Sequence, residues 1–270
     1  MRRKVSRPEQ ARSAGVFITL LACLISAGEA ATPASSTRGV WNIVYLGDSI
    51  TEGAHLGRNT PPDVCTAELR KRLVNAEIYM ANDGHSGHTT VDFLPSSDTD
   101  FTRAEQDATS LQKKHPGRLV FSIMLGTNDS AQYGPNGAPV SPATYEQNLR
   151  EIIGKLVTDF PSSLVVIQQP TWYSPNTANA SEYGEDGLHR LQSYFPLIPE
   201  IASRFPGKVF LGDTRAYNLI QKQYRLLLTP ENGRHGVFYL HPNPAGAKLL
   251  GTAWAAAIFS RLQHTPPIKD

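Results

Sequence analysis

The chain of 270 residues is 40% hydrophobic and 19% charged, with 21 Gly, 20 Pro and a formal net charge of +2. That balance excludes a disordered tract, a collagen-like repeat and a multi-span membrane protein. A chain of this length can bury one substantial core.

The first thirty residues read as an export signal rather than as part of the fold. Arg2, Arg3, Lys4, Arg7 and Arg12 make a basic start, Val16 to Ala27 is apolar, and Gly28-Glu29-Ala30 supplies small residues for a cleavage site. The apolar stretch is too short to span a bilayer, and the pattern is that of a secretory signal peptide. Its loss, with five basic and two acidic residues, leaves 21 Lys and Arg against 22 Asp and Glu, a net charge of −1. No electrostatic case for nucleic acid or an anionic membrane survives. The expected location is secreted or periplasmic. Lipoprotein processing at Cys23 is the rival reading, disfavoured because the apolar run continues past that residue. Either way Cys65 is left alone, so no internal disulfide can form.

Residues 31–39 are small, polar and expected to be loose, and 40–265 read as a single domain with no internal repeat. Short apolar runs follow at Trp41–Leu46, Ile78–Ala81, Leu119–Leu125, Leu164–Gln168 and Val209–Leu211. They are nearly continuous rather than alternating, as strands buried on both faces are. Helical patterns lie between them. Ser141 and Pro142 predict a helix start, with Tyr145, Leu149, Ile152, Ile153, Leu156, Val157 and Phe160 on one face. Asn243 and Pro244 predict the start of a final helix that turns Leu250, Trp254, Ile258 and Leu262 inward. Strands separated by helices predict an α/β protein: a three-layer α/β/α sandwich with a flavodoxin-like, doubly wound parallel sheet of about five strands. Ligands of such folds sit beyond the carboxyl ends of the strands.

Polar motifs gather at those ends. The first strand runs into Gly47-Asp48-Ser49-Ile50-Thr51, the second into Gly84-His85-Ser86-Gly87-His88-Thr89, and the third into Gly126-Thr127-Asn128-Asp129. Just ahead of the final helix stands His241-Pro242-Asn243. Taken singly, each is as readily a turn or a cap. Together, and in this order, they resemble the GDSL or SGNH hydrolases over nearly the whole chain from Gly47 to beyond His241. That resemblance implies Ser49 as nucleophile and His241 as general base. It further implies that the N–H groups of Ser49 and Gly84 and the amide of Asn128 bind the oxyanion. A hydroxyl is a poor nucleophile until a base takes its proton, and the resulting oxyanion needs preorganised donors. The Gly-x-Ser-x-Gly elbow of α/β-hydrolases is absent around Ser49.

One position departs from the family. Three residues before His241, where an orienting Asp is usual, stands Phe238. The expectation is therefore a Ser–His dyad whose imidazole leans on a backbone oxygen near Phe238. Glu231 is the alternative acid, set against the reading of a solvated loop carboxylate. Asp213 reads as the cap of the next helix.

Trp172 and Tyr173, in a long polar loop that continues to Tyr183 and is followed by Tyr194, suit stacking on a sugar ring. His88 reads as a residue of the cleft rim. Export, this loop and the family's acetyl-sugar esterases favour an esterase that removes acetyl groups from an acylated carbohydrate. A lysophospholipase or broad acyl esterase is the rival enzyme, and a non-catalytic glycan-binding descendant the rival of another class. No cofactor is expected, and no metal, because His85 and His88 lack a third ligand.

Overall fold

The computed structural model describes residues 39–263. The predicted signal peptide, Cys23 and the loose segment up to residue 38 lie outside these residues. Five strands, β1 (Gly39–Gly47), β2 (Ala76–Gly84), β3 (Arg118–Met124), β4 (Leu164–Ile167) and β5 (Val209–Leu211), form one sheet in the order β2-β1-β3-β4-β5. Every neighbouring pair is parallel. This is the doubly wound order expected of the sequence. Burial explains why β1 is central: Ile43, Val44, Tyr45 and Leu46 are consecutive and fully buried, so both faces of the strand are covered.

The helices are α1 (Ser49–Glu52), α2 (Pro61–Arg72), α3 (Asp100–Lys114), α4 (Pro142–Asp159), α5 (Gly184–Tyr194), α6 (Leu197–Ser203), α7 (Ala216–Leu227) and α8 (Pro244–Leu262). Contacts of α2 and α7 with α8, and of α4 with α5 and α6, build the outer layers of an α/β/α sandwich. Both predicted helix starts are capped. Ser141 Oγ accepts from the Thr144 N–H at 3.1 Å, and Asn243 Oδ1 from Ala245 and Gly246 at 2.9 and 3.1 Å. Such caps satisfy donors with no partner inside the helix. On α4 the face from Tyr145 to Leu156 is buried, whereas Val157 and Phe160 are half-buried.

Register positions the site. Gly47 lies beside Gly84 on one flank and Met124 on the other, so three strands finish level at one edge. The sequence reading did not contain a further element, an antiparallel hairpin of β6 (Leu228–Gly233) and β7 (Gly236–Pro242) that delivers the chain into α8. Among the described residues no helix is long and apolar enough to cross a membrane. Cys65 is buried and unpaired, its thiol pushed up to about 12 by desolvation.

Candidate active site

The strand β1 ends at Gly47, and Asp48 then caps α1 by accepting from the Ile50 N–H at 2.9 Å. Burial pushes the Asp48 carboxyl up to about 6 against the lowering effect of that hydrogen bond. Ser49 opens the helix, so its own N–H has no intrahelical acceptor. Its Oγ lies 2.9 Å from His241 Nε2, although 192 residues separate the two in sequence. Both side chains are buried, with each residue 8% exposed.

The other imidazole nitrogen corrects the expected dyad. His241 Nδ1 stands 3.0 Å from both oxygens of Glu231, and the His241 N–H donates to Glu231 Oε1 at 3.2 Å. No backbone oxygen beside Phe238 serves as the acceptor. The carboxylate comes instead from the facing strand, where Glu231 pairs directly with Phe238 in the hairpin register. Regular alternation would turn His241 away from Glu231, because it is three residues beyond Phe238. An irregularity between Leu228 and Pro230 breaks that alternation, leaving Pro242 opposite Leu228. A bulge of this kind re-aims a side chain.

A carboxylate only accepts, so Nδ1 carries the proton and Nε2 presents its lone pair to the Ser49 hydroxyl. Burial pushes the Glu231 carboxyl up, but the hydrogen bonds and charge of His241 outweigh it and hold the group below its ordinary range. Glu231 is thus ionised beside a ring it can orient.

Asn128, 3% exposed, is fixed from both ends. Its Nδ2 donates to the His88 carbonyl at 2.8 Å, and its Oδ1 accepts from the Tyr183 hydroxyl at 2.6 Å. The carbonyl can only accept, so the amide orientation is determined and one N–H of Nδ2 is left over. Next to it, Asp129 is fully buried and pushed up to about 7 by desolvation, with Thr90 donating to it through N–H and hydroxyl. These contacts lock the loop after β2 to the loop after β3.

Gly84 does not present its N–H to this space, contrary to the sequence reading. The group donates to Asn82 Oδ1 at 3.0 Å. The residue is glycine for another reason: a Cβ there would stand 2.1 Å from the Glu52 N atom of α1. Gly87, exposed and left-handed at φ 81°, is the glycine of this loop next to His88, whose carbonyl holds Asn128.

Trp172 and Tyr173 are also corrected as sugar-stacking residues. Tyr173 is fully buried with its hydroxyl 2.8 Å from Ser130 Oγ, and Trp172 packs at 5.3 Å against Tyr224. Tyr194 stacks on Tyr145 at 4.1 Å. The loop's aromatics are part of the main hydrophobic core. Asp213 accepts from the Arg215 and Ala216 N–H groups at the start of α7, as a cap does.

Among the described residues, two clusters have metal-ligand chemistry, His85-His88-Asp100 and His55-Glu231-His241. The first supplies the third group that the sequence reading lacked. Asp100, 4% exposed on α3, takes His85 Nδ1 at 2.9 Å on one oxygen and His88 Nδ1 on the other. Those rings are stacked 3.5 Å apart at 19°, so their in-plane lone pairs run side by side and do not converge on an ion. Hydrogen bonding to one carboxylate accounts for that cluster.

A doubly wound α/β/α fold with hydroxyl, imidazole and carboxylate aligned beyond its strand ends has the layout of a serine hydrolase. The sequence profile of the GDSL-like Lipase/Acylhydrolase family matches residues 45–249, and the chain belongs to that family. Similar solved structures include an α/β hydrolase from the metagenome of Lake Arreo, Spain. It is 23% identical with a TM-score of 0.56, over 80% of this chain and 94% of that one. A carbohydrate acetylesterase from Sinorhizobium meliloti is 17% identical with a TM-score of 0.54, over 81% and 98%. A catalytic mutant of an acetylxylan esterase from Geobacillus stearothermophilus is 20% identical with a TM-score of 0.55, over 83% and 94%. No curated protein matches the chain.

Proposed function

We propose that the chain is an exported serine esterase that removes short acyl groups, acetyl foremost, from carbohydrate. The observation that carries this reading is the line from Ser49 Oγ to His241 Nε2 at 2.9 Å and from His241 Nδ1 to Glu231 at 3.0 Å. As Oγ attacks the ester carbonyl, its proton passes to Nε2, and Glu231 stabilises the imidazolium that forms. Negative charge collects on the carbonyl oxygen. The Ser49 N–H and the spare N–H of Asn128 are the donors that support this reading. Imidazolium then protonates the leaving sugar oxygen, and water attacks the acyl-serine with His241 again as base.

Export is supported by the basic and then apolar start of the chain, and the substrate class by two of the similar structures, which are named for acetylated carbohydrates. The glycan-binding alternative loses its motive, because an acid does face His241. A series of p-nitrophenyl esters tests the acyl preference: turnover should peak at two carbons and vanish in Ser49→Ala. A peak beyond eight carbons would instead mark the lysophospholipase or broad acyl esterase. Acetylated xylan oligomers, assayed for acetate release, test the sugar. Unmeasurable release beside rapid p-nitrophenyl acetate turnover would remove the carbohydrate assignment.

A further inference from the structure

His55 has no part in the steps above, yet it sits against them. It lies in the loop between α1 and α2 with its side chain 58% exposed and its backbone left-handed at φ 69°. Its Nε2 is 3.9 Å from Glu231 Oε2, the oxygen facing away from the His241 backbone N–H. Its ring meets that of His241 nearly perpendicularly, at 71° and 5.2 Å between centroids. His55, Glu231 and His241 each offer one ligand atom, and the three atoms lie within 4.8 Å of one another.

The rings of this cluster are inclined steeply, so their lone pairs can meet at a common point. A tetrahedral zinc ion, with bonds of roughly 2.0–2.2 Å, holds its ligand atoms about 3.4 Å apart. The remaining adjustment falls on His55, whose exposed side chain is free to swing. Two imidazoles and one carboxylate are a ligand set that suits borderline cations such as Zn2+ and not Mg2+, which prefers oxygen. The buried side of the trio is preorganised by the Glu231–His241 contacts, and the fourth position is open to water.

We infer that His55, Glu231 and His241 form an inhibitory site for a borderline divalent cation, of which Zn2+ is the representative. The chemistry of inhibition follows from the tautomer. In the resting site Nδ1 carries the proton and Nε2 is the base. A cation bonded to Nδ1 displaces that proton, and the neutral ring then keeps its single proton on Nε2. His241 becomes a hydrogen-bond donor towards Ser49 and can no longer deprotonate it. Glu231 is drawn to the ion in the same event. Loss of turnover rests on the esterase reading, whereas binding of the ion does not.

The test has two arms. Zinc chloride is titrated into the p-nitrophenyl acetate assay in a buffer that does not bind metals, and zinc is withdrawn from a colorimetric chelator by Ser49→Ala. Turnover should fall saturably, return on addition of EDTA and ignore magnesium chloride. Ser49→Ala should take up one zinc per chain. His55→Asn, chosen because Asn tolerates the left-handed backbone, should keep the parent's turnover without zinc. It should need at least about tenfold more zinc for half-inhibition, and the same change should abolish tight uptake in the Ser49→Ala background. Equal zinc sensitivity in His55→Asn, or inhibition by magnesium equal to that by zinc, would overturn the inference. So would a Ser49→Ala chain that takes up no zinc. If the parent hydrolyses no ester, the uptake arm decides the site alone and the hydrolytic reading fails separately.

Discussion

Replacing Glu231 with glutamine keeps the volume of the side chain but changes what it offers to His241. In the parent, Oε1 receives the His241 N–H at 3.2 Å and Nδ1 at 3.0 Å, and Oε2 also lies 3.0 Å from Nδ1. Glutamine retains one oxygen. With that oxygen at the Oε1 position it still faces both the backbone N–H and Nδ1, but it is neutral, and the amide nitrogen at the Oε2 position sets a donor 3.0 Å from Nδ1 and its proton. The ring relieves the clash by accepting at Nδ1 and moving its proton to Nε2. The nitrogen 2.9 Å from Ser49 Oγ then donates instead of accepting. In the well-studied Ser-His-Asp case, the equivalent change lowers turnover by about 10⁴-fold. At ~1.36 kcal/mol per factor of ten, that is about 5.4 kcal/mol of barrier. Glu231→Gln should accordingly lower kcat on p-nitrophenyl acetate by about 10³ to 10⁴-fold, with KM little changed. A circular-dichroism melt is the control for folding. In the Ser49→Ala background the substitution should cost nothing further, since groups acting as one unit are not additive. Turnover of Glu231→Gln within about tenfold of the parent would refute the argument and return the site to a Ser–His dyad.

Other outcomes follow from the same geometry. Asn128→Ala removes a preorganised donor and should lower kcat by about 10² to 10³-fold with little change in KM. Tyr183→Phe leaves the amide in place but frees its oxygen, and should give a smaller loss, again in kcat. Gly84→Ala should destabilise the fold by about 2–3 kcal/mol or more, because the new methyl meets the Glu52 backbone at 2.1 Å. Gly87→Ala has open space around it and should cost only the ~1–2 kcal/mol of a left-handed alanine, read from thermal melts. Burial raises Asp129 from 3.8 to about 7, so the folded chain keeps a proton that the unfolded chain has released. That contribution to stability is fully present below pH 3.8 and lost as pH rises through about 7. Relative to Asp129→Asn, the parent should therefore lose stability across that window in urea titrations. A constant difference between the two would refute the buried, protonated state.

The parts of the fold legible in the sequence are those set by local physics. Continuous apolar runs marked all five sheet strands, because a strand covered on both faces has no polar side to show. Ser141-Pro142 and Asn243-Pro244 marked helix starts, because capping chemistry is confined to a few adjacent residues. The strand-end rule pointed to the side of the sheet where Ser49 lies, and the family resemblance paired it with His241. What escaped was set by pairing. The segment Leu228–Gly233 carries Pro230, Glu231 and Asn232, poor strand formers all, and it becomes a strand only through its partner. A signal was present in Gly233-Arg234-His235-Gly236, a two-residue loop bounded by glycines that fixes Glu231 opposite Phe238. Trp172 and Tyr173 were misread for a related reason: neighbours such as Ser174 and Asn176 make the segment look solvated. In the fold the Tyr173 hydroxyl is satisfied by Ser130, so the ring can be buried at no polar cost.

Glu231, and not its ladder partner Phe238, meets the imidazole, and the proposed chemistry explains what that ring requires of its surroundings. It needs an ionised acceptor in line with Nδ1, held firmly enough to fix the tautomer, and it is indifferent to the strand that supplies it. With Glu231 in that role, residue 238 is released to serve packing. Phe238 is 1% exposed, and a methyl added at Gly233 would stand 2.8 Å from its ring, so it closes the hairpin against the body of the protein. An aspartate placed there would bury a second carboxylate near Glu231, at the cost of that apolar contact and of like-charge repulsion. The hairpin, the irregularity before His241 and the phenylalanine therefore belong to a single solution. The carboxylate that faces the imidazole and the ring that anchors the strand stand opposite each other across one ladder.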